Sequence, residues 1–448
     1  MMLRIGSGAG FSGDRIEPAE VLLKHADLDY LVLECLAERT IALAQQRKLH
    51  EDSGGYDPLL EKRIRKLLPL LLEKDVRLVT NMGAANPIAA AEKILEIAKE
   101  LNLSCKVAAV TGDDVLDQLD LNAIPWETNR PISECGSIIS ANAYLGVEAL
   151  LPALESDANI VITGRVADPS LFLAPQVHHF GWSLEDYNKL GQGLVTGHLL
   201  ECSSQISGGY FADAHNKEVP DLVNIGFPFA TIDADGRAVI SKVEGTGGLI
   251  DLRTVKEQLL YEVHDPAEYK TPDVIVDFST VQLQEVGKNQ VEVLNGSGKE
   301  RPQSLKVSVG YHAGYLGEGE ISYAGTSALT RAEIAGEILK KRLIDDFPNL
   351  RIDFIGLSSV HRTHFNGSTP YEVRLRAAGY HDSEQMARLI GEEVEALYLN
   401  GPAAGGGARK KVTESIGVLS TLINREKVQA EVYFNEWIKG EERSGATN

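Results

Sequence analysis

Residues 77–87 read Arg77-Leu-Val-Thr-Asn-Met-Gly-Ala-Ala-Asn-Pro87 and contain one complete strand–loop–helix unit. The run Arg77–Thr80 is short and continuous rather than alternating, which is typical of a strand buried on both faces. Asn86 followed by Pro87 indicates a helix start, because Asn caps a helix and proline suits its first turn. Asn81 places a polar side chain at the carboxyl end of the strand. This unit predicts a parallel sheet covered by helices.

The same unit recurs on both sides of this stretch. Similar apolar runs occur at Leu3–Ile5, Tyr30–Leu33, Lys106–Val110, Ile138–Ser140 and Asn159–Thr163. Amphipathic segments separate these runs, and Asp168-Pro169 repeats the cap-and-proline signature. Alternating strands and helices predict a parallel sheet with right-handed crossovers. We therefore expect a parallel α/β domain over residues 1–270, and six strands do not distinguish an open sheet from a closed barrel.

The pattern changes in residues 271–448. The strand Tyr371–Ala377 alternates apolar and charged residues, and Val428–Phe434 alternates again. With the helices Ala328–Ile344 and Ser383–Tyr398 between the strands, the order becomes β-α-β-β-α-β. This order predicts an α+β domain of the ferredoxin-like, split βαβ type, with a glycine-rich loop at 401–407.

Composition narrows the class of protein. Lys and Arg number 44 against 64 Asp and Glu, so the net charge of −20 argues against nucleic-acid and membrane partners. The four cysteines are widely spaced and contain no Cys-x-x-Cys, which argues against a disulfide framework or a zinc ribbon. We expect a cytoplasmic protein.

Small and polar residues follow most of the predicted N-terminal strands. Parallel folds bind ligands at the carboxyl ends of their strands, so these residues are candidates for a binding crevice. They are Ser7, Gly8, Gly10, Glu34, Asn81, Asn142, Arg165 and Asp168. Helix caps and tight turns use the same residue types, and this alternative explains Asp168 better than it explains Glu34, Asn81 or Arg165.

The stretch Gly8-x-Gly10-x-x-Gly13 matches the dinucleotide-binding fingerprint formally, and Glu34 ends the next strand. In a true dinucleotide-binding unit the third glycine already lies in the helix. Here four residues intervene before Pro18 can open a short helix. The stretch therefore favours a glycine turn that admits another phosphate or a carboxylate over a nicotinamide site.

His198, Glu201 and Cys202 have the i, i+3, i+4 spacing that places three side chains on one helix face. They could hold a metal, or His198 and Glu201 could form an acid/base pair. The spacing is weaker than that of a zinc motif, so the pattern favours the metal-free pair.

The glycine-rich segment near residue 405 exposes backbone N–H groups and is followed by cations. Gly405, Gly406 and Arg409 could therefore bind a phosphate or a carboxylate. A flexible linker is the alternative reading of the same residues.

Several longer strings resemble one known family. They are Gly6-Ser-Gly-Ala-Gly-Phe-Ser-Gly-Asp-Arg15, Tyr30-Leu-Val-Leu-Glu-Cys35, Thr80-Asn-Met-Gly-Ala-Ala-Asn-Pro87, Ile162-Thr-Gly-Arg-Val-Ala-Asp-Pro-Ser170, His198-Leu-Leu-Glu-Cys202, Gly208-Gly-Tyr-Phe-Ala-Asp213, Val243-Glu-Gly-Thr-Gly-Gly248, Leu260-Tyr-Glu-Val-His-Asp-Pro266 and Gly317-Glu-Gly-Glu-Ile-Ser-Tyr323. In this order they resemble the acyclic terpene utilisation (AtuA-type) family over nearly the whole chain. The resemblance implies a place among enzymes that degrade citronellol- and geraniol-type branched acids as coenzyme A thioesters. It supplies no catalytic residues.

The resemblance implies a small acyl substrate, a coenzyme A thioester, and with the acid/base candidates it predicts an enzyme that acts by lyase or hydratase chemistry. Glu34 and the pair His198–Glu201 would transfer protons, and Arg165 with Asn81 would stabilise a carboxylate or an oxyanion. Such chemistry needs no redox cofactor. The alternatives are an NAD(P)-dependent oxidoreductase and a non-catalytic acyl-binding subunit. We further expect a homo-oligomer.

Overall fold

The structure, a computed structural model, describes residues 2–51, 54–213, 215–362 and 370–439. Two compact units make up the chain. Of the described residues, those within 1–131, 139–310 and 418–448 belong to the first unit, and those within 132–138 and 311–417 belong to the second. The sequence-based division into domains 1–270 and 271–448 stays a prediction.

The fold is mixed α/β. Its strands are β1 (Leu3–Ala9), β2 (Tyr30–Leu33), β3 (Arg77–Thr80), β4 (Cys105–Thr111), β5 (Ser137–Ala143), β6 (Ile160–Thr163), β7 (Pro228–Ile232), β8 (Ala238–Lys242), β9 (Tyr269–Lys270), β10 (Ile275–Asp277), β11 (Gln282–Gly287), β12 (Gln290–Leu294), β13 (Ser297–Lys299), β14 (Ser304–Ala324), β15 (Arg351–Ile355), β16 (Glu372–His381), β17 (Gly406–Asn424) and β18 (Glu431–Trp437). Its α-helices are α1 (Glu17–His25), α2 (Glu38–His50), α3 (Leu60–Lys74), α4 (Pro87–Glu100), α5 (Val147–Glu155), α6 (Ser170–Phe180), α7 (Tyr187–Glu201), α8 (Leu252–Leu259), α9 (Ala328–Leu343) and α10 (Glu384–Asn400).

A ten-stranded sheet forms the centre of the first unit, in the order β11-β12-β8-β7-β1-β2-β3-β6-β4-β18. The strands from β1 to β4 in this order are parallel, as predicted, and antiparallel strands extend the sheet on both sides. The sheet is open, with β11 and β18 at its edges. The predicted strand Ile138–Ser140 lies in β5, which pairs with β14 instead of joining this sheet. Its expected place in the parallel core was wrong, because β6 and β18 already occupy both sides of β4.

Both faces of the parallel strands are buried. Leu31 and Leu33 of β2 pack into one apolar cluster with α1, α3 and α4. Tyr30 and Val32 point the other way, into a second cluster with α5, α6 and α7. Helices on both faces explain why these strands are continuously apolar, and the expectation of strands buried on both faces is confirmed.

The two predicted cap-and-proline signatures have different outcomes. The side chain of Asn86 accepts a hydrogen bond from the backbone N–H of Ala89 (3.2 Å), so Asn86 caps α4 as predicted. Asp168 does not cap α6 with its side chain, because its carboxylate forms an ion pair with Arg165. The cap prediction for Asp168 was therefore wrong, and this carboxylate belongs to the site described below.

The second unit contains a sheet in which β15, β16, β14 and β17 are successive neighbours. One face is apolar and lies under α9 and α10, with Ile321 and Leu375 in the cluster. The other face carries ion pairs such as that between Arg376 and Glu318 (2.5 Å). The prediction that Val428–Phe434 forms the last strand of this layer was wrong. This segment overlaps β18, which pairs with β4 in the first unit. β17 takes that place. Its glycines and cations are typical of a loop, so the sequence did not predict a strand there.

Candidate active site

Glu34 and Asn81 meet at the carboxyl edge of the parallel strands. They follow β2 and β3, which are neighbours in register. The Asn81 amide donates to Oε1 of Glu34 (2.9 Å), and the backbone N–H of Leu36 donates to the same oxygen (2.8 Å). Oδ1 of Asn81 accepts from the backbone N–H of Cys35 (2.7 Å). Both side chains are buried, so Asn81 fixes the orientation of the Glu34 carboxyl group.

Arg165 follows β6 and is fully buried. Its guanidinium forms an ion pair with Asp168, donates to the backbone carbonyls of Leu36 and Val166, and stacks 4.6 Å from the ring centre of Tyr144. Most of its donors are therefore engaged within the protein. The arrangement places a cation beside the buried carboxyl groups and leaves little of it free for a ligand.

Asp113 connects Arg165 to Asn142. Its Oδ2 accepts from the backbone N–H of Arg165 (3.0 Å) and from the amide of Asn142 (2.8 Å). A Cβ on Gly164 would lie 2.4 Å from Oδ1 of Asp113, so only glycine permits this approach. Burial raises the pKa of Asp113 to about 6. Oδ1 of Asn142 is buried and has no hydrogen-bond partner among the described residues, which leaves it available to a ligand.

The buried carboxyl groups of Glu34 and Asp168 both have raised proton affinities. Burial raises the pKa of Glu34 well above its ordinary value, the charge of Asp168 raises it further, and Arg165 opposes both effects. Burial also raises the pKa of Asp168, while Arg165 lowers it and Glu38 raises it. The Asp168 side chain is nevertheless 37% exposed, so the site is reachable by solvent at this point. Glu34 keeps its proton to higher pH than an exposed glutamate does, which suits a general acid.

His198 and Glu201 form a buried pair one helical turn apart on α7. Nδ1 of His198 lies 2.8 Å from Oε1 of Glu201, and the two residues are 1% and 9% exposed. Burial raises the pKa of Glu201 to about 7, although His198 lowers it and Asp168 raises it again. Nε2 of His198 and Oε2 of Glu201 are buried and have no hydrogen-bond partner among the described residues. Glu201 can therefore take up or release a proton near neutral pH, and each member of the pair presents one polar atom that no described residue occupies.

Aromatic rings and glycines position this pair. The imidazole of His198 stacks on the ring of Phe278, with centroids 5.1 Å apart. A Cβ on Gly197 would lie 2.5 Å from the carbonyl oxygen of Pro169. A Cβ on Gly10 would lie equally close, 2.5 Å, to the backbone of Cys202. These glycines allow the end of α7 to lie against both the turn that carries Asp168 and the loop after β1.

Arg63 of α3 binds the loop that follows β1, a role that the sequence analysis did not predict. Its buried guanidinium donates to the carbonyls of Ser12 (3.0 Å) and Asp14 (3.0 Å) and to the sulfur of Cys35 (2.6 Å). Arg63 thus ties the loop to the residue that follows Glu34. A single arginine in an amphipathic helix gives no sequence signal of this role.

Ser7 and Gly8, predicted to bind substrate, lie within β1. Ser7 is buried, and its hydroxyl has no hydrogen-bond partner in the part of the chain that the structure describes. A Cβ on Gly8 would lie 2.6 Å from Leu33 and 3.2 Å from Ala19, so Gly8 lets α1 pack closely on β1. Ser7 therefore keeps an atom available to a ligand, whereas Gly8 has a packing role.

Gly405, Gly406 and Arg409 lie in the second unit. Gly405 precedes β17, while Gly406 and the exposed Arg409 belong to the strand itself. Their binding role stays a prediction.

The polar residues around Arg165 form a polar cluster in the first unit. The sequence did not indicate three of its members, which are Glu38, Tyr144 and Lys306. Tyr144 donates to Oε1 of Glu38 (2.7 Å), and Lys306 donates to the same oxygen (3.0 Å). Burial raises the pKa of Glu38, but Tyr144 and Lys306 outweigh it and lower the pKa to about 2. Lys306 has no sequence signal, because it lies 268 residues from Glu38 in the chain.

Among the residues that the structure describes, no group of three or more His, Cys, Asp or Glu side chains is arranged to hold a metal ion. No helix in the same residues has the length and apolar character needed to cross a membrane.

Comparison with known proteins gives one result. The sequence model of the family described as acyclic terpene utilisation family protein AtuA matches residues 3–434. Neither the curated proteins nor the solved structures contain a significant match. Since the family match spans nearly all of the residues that form both units, the chain belongs to the acyclic terpene utilisation (AtuA) family.

Proposed function

We propose that this protein is an enzyme of branched-chain or acyclic terpenoid acid catabolism that acts on a small acyl substrate, a coenzyme A thioester. The proposed step is a lyase or hydratase reaction, which requires proton transfer by side chains and no redox cofactor. The family's role in acyclic terpene utilisation supports the substrate class. The observation that carries the proposal is the buried pair His198–Glu201, in which Nε2 and Oε2 have no hydrogen-bond partner among the described residues.

The two acid/base centres differ in their environments, and this difference supports different roles for them. Glu201, with a pKa of about 7, and the imidazole of His198 form the base. Glu34, whose pKa lies well above the ordinary value, forms the acid. In the dehydration direction, the base takes the proton from the carbon next to the thioester. Glu34 protonates the hydroxyl on the following carbon, and the hydroxyl leaves as water while the double bond forms.

The neighbouring polar groups have supporting roles in this proposal. Arg165 holds the charge that Glu34 acquires when it loses its proton, and Asn81 keeps that carboxyl group in one orientation. The hydroxyl of Ser7 and Oδ1 of Asn142, which have no hydrogen-bond partner within the residues that the structure describes, bind polar atoms of the substrate. Arg165 is thus a positioning residue here, because most of its donors are engaged within the protein.

The assignment of the second unit is part of the proposal. We infer a ferredoxin-like, split βαβ arrangement, supported by the element order β14-α9-β15-β16-α10-β17 and by the sheet order β15-β16-β14-β17. In that fold the two helices cover one face of the sheet. We also propose that Arg409, an exposed cation at the start of β17, binds an anionic group. An Arg409→Gln variant tests this role, which predicts a higher KM with kcat unchanged.

The decisive experiment assays the purified protein with branched enoyl- and 3-hydroxyacyl-coenzyme A thioesters, following formation or loss of the conjugated double bond. We expect Glu201→Gln and Glu34→Gln each to lower kcat about 100-fold or more. The exposed Glu185→Gln is the matched control. Turnover that survives Glu201→Gln contradicts the proposal.

Two other outcomes would replace the proposal. Hydride transfer to or from NAD(P) would identify an oxidoreductase. Tight thioester binding without turnover would identify a non-catalytic acyl-binding subunit.

A further inference from the structure

A cavity of about 380 Å³ opens beside β1, at the same edge of the sheet as the polar cluster. It lies between the start of α1 and the two loops that precede β7 and follow β8. Gly6 in β1 is in register with Phe229 in β7, and Pro228 at the start of β7 pairs with Lys242 at the end of β8. Both loops therefore lie at the carboxyl edge of the parallel strands.

The floor of the cavity is apolar. Leu22, Ile225 and Phe227 line it and are almost completely buried. Val21 of α1 and Val243 after β8 form its walls. Ligand pockets in proteins typically measure about 300 to 1,000 Å³ and have apolar linings with few polar groups, so this cavity suits a small ligand.

The charged groups around the cavity favour an anion. Arg15 lines it, donates to the carbonyl of Val223 (2.9 Å), and forms no ion pair with the residues that the structure describes. Glu17 also lines it, and its carboxylate pairs with Lys66 (3.1 Å), which pairs with Glu20 (2.8 Å) as well. Arg15 thus presents a cation, with no ion pair in the described part of the chain, at an apolar cavity of a protein whose net charge is −20.

A second cation lies behind the wall. Lys242 is 8% exposed, and its ammonium donates to the carbonyl of Thr246 (2.7 Å), a residue that lines the cavity. Its only partners among the described residues are neutral oxygens. Burial and the charge of Lys288 lower the pKa of Lys242. A negative charge at the cavity mouth would be attracted by both cations.

We propose that this cavity is a binding site for a small amphipathic carboxylate, whose apolar chain covers Leu22, Ile225 and Phe227 and whose carboxylate pairs with Arg15. The site is separate from the acid/base residues and does not depend on the proposed reaction. Its test measures binding directly, so an inactive protein would still give an answer.

Isothermal titration with butanoate, hexanoate and octanoate tests the apolar part of the site. Each added methylene buries more apolar surface, so we expect it to lower Kd about fourfold. Successive ligands in this series differ by two methylenes. Val21→Trp fills the cavity and is expected to abolish octanoate binding, with a thermal melt to confirm folding. A Kd that does not change with chain length overturns the proposal.

Arg15→Gln tests the charged part. We expect it to weaken octanoate binding about tenfold, the effect of losing one charge-assisted hydrogen bond, and to leave binding of 1-octanol unchanged. Arg237→Gln is the matched control, since Arg237 is an exposed arginine in the turn between β7 and β8, at the opposite edge of the sheet. Equal octanoate affinities of Arg15→Gln and the unaltered protein overturn the proposal, because the arginine would then contribute nothing.

Discussion

Replacing Glu201 by Gln should change how the stability of the protein depends on pH. Burial and nearby charges raise the pKa of Glu201 from 4.5 to about 7. Between these values the folded protein holds a proton that the unfolded chain releases, so this residue makes stability fall as pH rises. Below pH 4.5 both states are protonated and the penalty is absent. Above pH 7 the penalty is fully expressed.

The size of the effect follows from the two pKa values. One pKa unit corresponds to about 1.4 kcal/mol, so Glu201 lowers the free energy of unfolding by about 2 to 3 kcal/mol more at pH 8 than at pH 5. Gln has the same shape, can still accept from His198, and does not ionise. The difference in unfolding free energy between Glu201→Gln and the unaltered protein should therefore grow in favour of the variant by about this amount.

Urea denaturation at several pH values between 5 and 8 measures this difference. The exposed Glu185→Gln serves as the control and should give a pH-independent difference. Other titrating groups cancel, because they are common to each pair of proteins. Parallel stability curves for Glu201→Gln and the unaltered protein would refute the reasoning, since they would mean that Glu201 ionises as easily in the folded state as in the unfolded chain.

Three further predictions test the supports of the site. Gly197→Ala should lower the free energy of unfolding by about 1 to 3 kcal/mol, because the added Cβ would lie 2.5 Å from a backbone atom. In the same urea titration the control Gly406→Ala, whose Cβ would have no atom within 4 Å, should change it by less than about 0.5 kcal/mol. Asp113→Ala should destabilise the protein by about 1 to 3 kcal/mol, because two donors lose their acceptor, and equal melting curves would contradict this. Tyr144→Phe should raise the pKa of Glu38 from about 2, since the hydroxyl stabilises the ionised form, and carboxyl NMR titration measures the shift directly.

Local patterns in the sequence predicted the parallel core and part of the polar cluster. Glu34, Asn81 and Arg165 follow parallel strands, and such strands end at one edge, so their proximity follows from topology. The pairing of His198 with Glu201 follows from helical spacing. Both inferences need only short-range patterns.

Long-range pairing was beyond the same reasoning. The places of β5 and β18 depend on which strand edges remain open, and no local signal records that. The ion pair of Asp168 replaced an expected helix cap because Arg165, three residues earlier, competes for the carboxylate. Lys306 reaches Glu38 across 268 residues, and an isolated lysine carries no sign of such a contact.

The pairing of β18 with β4 has a consequence for the order in which the chain is assembled during translation. The bond between Thr111 and Glu431 spans 320 residues, so β4 emerges from the ribosome long before its outer neighbour is made. Until then one side of β4 exposes unpaired backbone groups to solvent or to other nascent chains. Contacts of such separation form slowly, and chaperones that shield strand edges would matter most in that interval. A chain shortened before residue 431 would keep that edge open permanently and should aggregate during expression, although every acid/base residue of the site is present.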